Sequence, residues 1–189
     1  MNPISHFLIS WNVSALCAAD KRDRVLITLG GILPDADSLG IVAELITKNS
    51  RHPLNLFSEY HHQLTHNITT AIVGAIAVLL LAKRRLFTTL VFFGVFHLHL
   101  LCDLIGARGP EGYQWPSNYL FPFSSAIQLT WQYQWPLNSW QNMAITLAML
   151  GMVFILVWKK GFSPLEVFSA KADRLFVQAV NKYKHSPRT

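Results

Sequence analysis

Residues 68–105 read ITTAIVGAIAVLLLA-KRR-LFTTLVFFGVFHLHLLCDLI: an uncharged apolar run, three basic residues, and a second apolar run with a single acid near its end. A bilayer's hydrocarbon core is crossed by about 20 apolar residues in helical form, so Ile68 to Ala82 and Leu86 to Ile105 read as membrane helices. A turn as short as Lys83-Arg84-Arg85 makes them antiparallel neighbours. Residues equidistant from that turn lie level, which sets His66 beside Asp103.

The same logic works upstream. Ile4 to Ala19 is mostly apolar but holds His6, Ser10, Trp11 and Asn12. After the basic turn Lys21-Arg22-Asp23-Arg24 comes a shorter apolar run, Val25 to Leu33, closed by Pro34-Asp35-Ala36-Asp37. These segments read as a second, shorter hairpin, spanning or half-inserted, whose level pair is His6 and Asp35. No positive charge precedes the first apolar stretch, which argues against a signal peptide. Met143 to Trp158, ending on Lys159-Lys160, reads as a third good span.

Composition agrees with a membrane protein. Of 189 residues, 51% are hydrophobic and 14% charged, and the mean hydropathy is +0.29. A soluble domain averages about 25% charged residues, and disorder needs low hydrophobicity with high net charge. The length suits one domain. Cys17 and Cys102 form no disulfide framework and no zinc pattern. The net charge of +6 sits in clusters beside apolar runs, as the positive-inside bias produces, rather than in a stripe that tracks nucleic acid. A nucleic-acid partner is therefore not expected. If five helices alternate, the basic turns and Lys159-Lys160 share one face, expected to be cytoplasmic along with the C-terminus. His6, Asp35, His66 and Asp103 then collect at the other.

Gly106 to Trp140 has a different texture. Trp115, Trp131, Trp135 and Trp140 alternate with Tyr113, Tyr119 and Tyr133, and Pro110, Pro116, Pro122 and Pro136 break helices. Such aromatics favour the membrane–water interface, so an interfacial loop or re-entrant lid is expected. Residues 1–160 form the membrane-embedded domain and residues 161–189 a basic amphipathic tail, with Lys171, Arg174, Lys182, Lys184 and Arg188 among Leu165, Val167, Phe168, Leu175, Phe176 and Val180. That tail suits an anionic membrane surface, a solvated helix, or a cytoplasmic protein partner. The expected fold is all-α: an integral membrane bundle of about four to five transmembrane or half-inserted helices with an aromatic interfacial loop.

The polar residues carry the chemistry. His62 and His66 are four residues apart, as are His99 and Asp103, so on helices each pair faces one way. Such pairs on facing helices are how bundles build metal sites. Imidazole and carboxylate without thiolate suit Zn²⁺, with Mn²⁺ or Fe²⁺ as alternatives. An acid within a membrane segment costs about 2.5–3.5 kcal/mol on insertion scales and marks a functional candidate, which singles out Asp103. Bland roles compete. The bland role for Asp35 is a helix cap, and that for Glu59 a helix-start residue favoured by the dipole. His97 faces another side of its helix and reads as core or as support to the site. His52 and His185 read as ordinary hydrogen-bonded side chains, and Cys102 as a small buried hydrophobe.

His6, Leu33-Pro34-Asp35-Ala36-Asp37, His61-His62-Gln63-Leu64-Thr65-His66, His99-Leu100-Leu101-Cys102-Asp103, and then Trp115-Pro116 with Phe121-Pro122-Phe123, occur in that order. Over about residues 1–125 this series resembles the bacterial inner-membrane metal-dependent hydrolase family, a LexA-binding group of unassigned substrate. The resemblance implies His6, Asp35, Asp37, His61, His66, His99 and Asp103 as ligands for one or two ions. It departs where His62 replaces the family's Arg and Gln63 its Gly. His62 has the better spacing to His66 and His61 the better family match, so both stand as ligand candidates. His and Asp ligands at helix ends are also similar to the zinc-dependent phospholipase C and single-strand nuclease group, which implies phosphoester hydrolysis. In that chemistry a metal activates water and stabilises the leaving oxygen. Asp37 or Glu59 is then the candidate general base, and Arg108 a phosphate holder or an interfacial anchor.

The leading expectation is a multi-pass inner-membrane hydrolase acting on a lipid or lipid-linked ester or phosphoester. Two other classes compete. One is a non-enzymatic metal or haem carrier with His66 and His97 or His99 as axial ligands, against which the clustered carboxylates argue. The other is a regulatory membrane protein with a structural metal site.

Overall fold

The computed structural model describes residues 1–109 and 112–182; Pro110 of the aromatic loop and Lys184, His185 and Arg188 of the tail lie outside the described residues. The described chain is mostly helical. α1 (Pro3–Cys17) starts where Asn2 accepts the Ser5 N–H at 2.9 Å, an N-cap that satisfies an orphan donor. α2 (Lys21–Gly30) is capped by Asp20 in the same way and folds back on α1. A 3-10 segment, Leu33–Leu39, carries the Leu-Pro-Asp-Ala-Asp turn into α3 (Gly40–Thr47), and a short α4 (Leu56–Tyr60) follows. Asn67 caps α5 (Ile68–Leu81), which returns as α6 (Arg85–Gly106). After the loop come α7 (Trp140–Lys160), ended by Gly161 at φ 76°, and α8 (Ala170–Asn181).

α6 lies at the centre, against α1, α2 and α5, while α7 packs on the far side of α1. Trp11 meets Val153, Leu156 and Val157 between α1 and α7. Ile27 meets Val95 between α2 and α6, and Ala71 meets Phe96 and Leu100 between α5 and α6. Small polar side chains join the helices: Ser5 to Thr146 at 2.6 Å and Ser14 to Thr28 at 3.1 Å, with Asn12 donating to the Met149 carbonyl at 3.0 Å. Interhelical hydrogen bonds of this kind are typical of membrane bundles. The outer faces of α5 and α7 are aliphatic and exposed, with Ile72, Ile76 and Leu80 on one and Met143, Leu147 and Phe154 on the other. In water that would be a very large apolar patch; in a bilayer it is the lipid-facing side.

Among the described residues two helices are long and apolar enough to cross a membrane, α6 with 22 residues and α7 with 21. A third crossing is formed if α2 and residues 33–47, bent by 61° at their junction, count as one broken span. The expectation of a full span at residues 68–82 is corrected. α5 has 14 residues, about 21 Å at 1.5 Å per residue, because Asn67 caps it below and the extended Ala82 stops it above.

The basic clusters meet at one end. Lys83 and Arg84 donate their backbone N–H groups to the Asp23 carboxylate at 2.8 and 3.1 Å, and the Lys83 ammonium pairs with Asp20 at 2.6 Å. Arg24 holds Glu166 through two bonds of 2.8 and 2.7 Å while its guanidinium lies 3.6 Å above the Phe162 ring. The start of the tail is thus fastened to the bundle. Phe176, Val177 and Val180 of α8 pack against the α1–α7 core, leaving Phe168 and Leu175 exposed.

Candidate metal centre

At the end of the bundle away from those clusters, four side chains from three stretches of chain converge. Asp35 comes from the 3-10 segment, His66 from the turn before α5, and His99 and Asp103 from the last turns of α6. One ligand atom from each lies within 4.8 Å of all the others. His99 Nε2 is 2.9 Å from Asp103 Oδ2 and 3.3 Å from His66 Nε2; His66 Nε2 is 3.5 Å from Asp103 Oδ2. Asp35 Oδ1 is 3.7 Å from His99 and 3.9 Å from His66. His66, His99 and Asp103 are buried, and Asp35 is nearly so.

The surrounding bonds decide which nitrogens face inward. His99 Nδ1 donates to the Gly31 carbonyl at 2.9 Å, and His66 Nδ1 donates to Asp37 Oδ2 at 3.2 Å. In the neutral form that a metal requires, each imidazole has one N–H, so both Nε2 atoms then turn lone pairs toward the carboxylates. Asp35 Oδ2 and Asp103 Oδ2 are buried without a hydrogen-bond partner. Converging lone pairs repel unless a cation sits among them, and two imidazoles with two carboxylates suit a divalent ion such as zinc. A histidine ligand held from behind by a carboxylate or carbonyl is the usual outer support of such a site. His66 shows the demand for positive charge: burial lowers its pKa, but hydrogen bonds and charge from Asp103 and Asp37 outweigh that and raise it to about 9.

The other expected site residues take different places. Asp37 is outside the group of four. It accepts from His61 Nδ1 at 2.9 Å, from the His62 backbone N–H at 3.0 Å and from His66, so it orients imidazoles. His61 and His62 do not lie on a helix with His66. Residues 61–67 form turns, and His62 has a φ of 67°. The i, i+4 geometry expected for His62 and His66 is replaced by stacked rings with centroids 4.2 Å apart. Burial, then the neighbouring charge of His66, lowers the His62 pKa well below the ordinary value. His6 is not paired with Asp35. Its Nε2 donates to Asp103 Oδ1 at 2.9 Å and its ring stacks on His99 at 3.7 Å, while the Met1 amine also reaches Asp103 Oδ1. Glu59 is exposed on α4, and Arg108 donates to the Gln132 carbonyl at 2.5 Å, tying the aromatic loop to itself. His97 is satisfied on both nitrogens, donating to the Phe93 carbonyl at 2.8 Å and accepting from Tyr119 at 2.9 Å.

Several supporting residues escape a motif reading. Thr65 donates to the Pro34 carbonyl and accepts the Asp37 N–H at 3.3 Å, clamping the two ligand turns together. Ser117 and Gln134 of the loop bond the His66 and Asp103 carbonyls, both at 2.7 Å. The Gly30-Gly31 doublet just before the acidic turn was the readable signal for Gly31: a Cβ there would lie 1.6 Å from Ser10 Oγ. A cavity of about 10 Å³ beside His66 and Asp103, closed by His62 and Trp115, is near the lower limit for one water molecule.

No curated protein and no solved structure matches this chain. The model of the YdjM inner membrane protein family matches residues 1–179, which takes in α1 to α7, most of α8 and all four converging side chains. With two helices fit to cross a membrane and a match over nearly its whole length, the chain belongs to the YdjM inner membrane protein family.

Proposed function

We propose that this chain is a membrane-embedded, metal-dependent hydrolase that cleaves an ester or phosphoester in a lipid or lipid-linked substrate. The observation that carries the reading is the convergence of Asp35, His66, His99 and Asp103 on one point, with two buried carboxylate oxygens lacking partners. These four would hold one divalent ion, zinc before manganese or iron; among the described residues no other set converges in this way. When bound, such an ion polarises the substrate oxygen and lowers the pKa of water toward neutrality.

The chain's own residues then have distinct tasks. Asp37 and the Gly31 carbonyl hold the imidazoles of His66 and His99 in register. Asp37 already accepts three N–H groups, which favours this positioning task over that of a base. We assign the base to His62 on its position alone, since its imidazole lines the small cavity next to His66 and Asp103. Trp115 closes the same cavity against bulk water.

Burial of three of the four ligands favours a second reading, a structural ion in a regulatory membrane protein. Haem iron is disfavoured by the two carboxylates beside the imidazoles. Elemental mass spectrometry on detergent-purified protein tests the common root of both readings. Wild type is expected to carry about one equivalent of metal, and His66→Ala and Asp103→Ala to lose most of it. Metal retained by the variants, or absent from gently purified wild type, sinks both. Hydrolysis of lipid phosphoesters by loaded wild type but not by His62→Gln then separates enzyme from structural site.

A further inference from the structure

A groove of about 690 Å³ runs down the outside of the bundle between α2 and α5. One wall is Leu26, Leu29 and Leu33; the other is the stripe Val73, Ala77 and Leu81, spaced so as to share one helix face. The lining is almost wholly aliphatic until the groove reaches Thr69, Thr70 and Asp35. Asp35 is also one of the four converging residues, so the groove ends against a side chain of the candidate metal centre. Val73, Leu81 and Leu29 are 62%, 48% and 42% exposed, which opens the groove sideways to the surrounding bilayer.

We propose that this groove seats one acyl chain of a membrane phospholipid, with the ester and phosphate end of that lipid at Asp35. The proposal rests on the metal-centre reading above. Charge complementarity chooses the direction: a divalent ion held at Asp35 attracts the phosphate, and the aliphatic walls admit only hydrocarbon beyond it. Size chooses the occupant. Thr69 to Leu81 spans about 18 Å of helix rise, and a partner helix about 10 Å across over that length would fill about twice the volume observed. The volume instead falls within the roughly 300–1,000 Å³ range of small-ligand sites.

The test uses the full chain in phosphatidylethanolamine vesicles doped with two photoactivatable phosphatidylethanolamines. One carries its diazirine beside the acyl ester and the other at the chain terminus. Peptide mapping is expected to find the first probe on residues 69–73 and the second on Leu26 and Leu81. Ala77→Phe and Val73→Trp, both at exposed positions that fill the groove, are expected to cut this labelling at least fivefold. Leu147→Phe on the lipid-facing side of α7 leaves it unchanged. Equal labelling of α5 and α7, a reversed depth order, indifference to Ala77→Phe, or stronger labelling by an isoprenyl phosphate probe overturns the proposal. Metal content is measured on the same samples. Depth-ordered labelling of metal-free wild type would remove the metal centre and keep the groove, whereas metal with evenly spread labelling would do the reverse.

Discussion

His99 presents its Nε2 to the centre only because its other nitrogen is held by the Gly31 carbonyl, and His66 depends on Asp37 in the same way. Each of these two imidazoles is aimed from behind, so on the proposed reading a residue that touches no ion would control affinity. Asp37→Asn keeps the shape of the side chain but removes its charge and one acceptor. Metal affinity, measured by chelator competition, is expected to weaken about 10- to 100-fold while helix content holds. An unchanged affinity would show that Asp37 does not act through His66. Gly31 has no substitute at its position, since any side chain there collides with Ser10.

At the scale of elements, the Arg24–Glu166 pair joins α2 to the segment leading into α8, and both groups are buried. Removing one partner strands a buried charge, a loss of about 3–5 kcal/mol, while replacing both with apolar residues is often neutral. Glu166→Leu is therefore expected to lower the melting temperature in detergent by several degrees, and Arg24→Met with Glu166→Leu to restore most of it. Equal melting temperatures for the single variant and wild type would refute the latch. This pair was invisible in the sequence, where Arg24 reads as one more member of a basic turn and Glu166 as part of a tail. The hairpin of α5 and α6 was legible, because a three-residue turn leaves few registers, and it does bring His66 to Asp103. The first hairpin misled on detail: α2 meets residues 33–47 at a bend of 61°, Asp35 lies near His99, and His6 pairs with Asp103. The helix expected through His61 to His66 failed because the Asn67 cap starts α5 only afterwards. Asp23 was masked in the same manner, its carboxylate taken up by the Lys83 and Arg84 backbone rather than by a basic side chain.

For the whole molecule, the gathering of the basic clusters at one end and of the His/Asp group at the other gives the bundle a polarity that the bilayer reads. On the positive-inside bias the basic end, and α8 with it, is expected on the cytoplasmic side. Green fluorescent protein fused to the C-terminus is then expected to fluoresce in cells, and alkaline phosphatase at the same point to stay inactive. The opposite pair of results would turn the candidate centre toward the cytoplasm. The all-α membrane architecture was readable from composition and run length alone. The pinning of the aromatic loop onto the His66 and Asp103 carbonyls was not, because it depends on Ser117 and Gln134, two residues with no pattern around them.

The spread of the four ligands along the chain bears on biogenesis. Asp35, His66, His99 and Asp103 enter the membrane on three successive segments, and no nascent chain shorter than residue 103 holds the full set. An ion held by all four would therefore be captured after insertion and docking of α6 rather than guiding them. Such an ion would be drawn from whatever supply the compartment on that side offers, and newly made protein would pass through a metal-free stage whose lifetime is set by that supply.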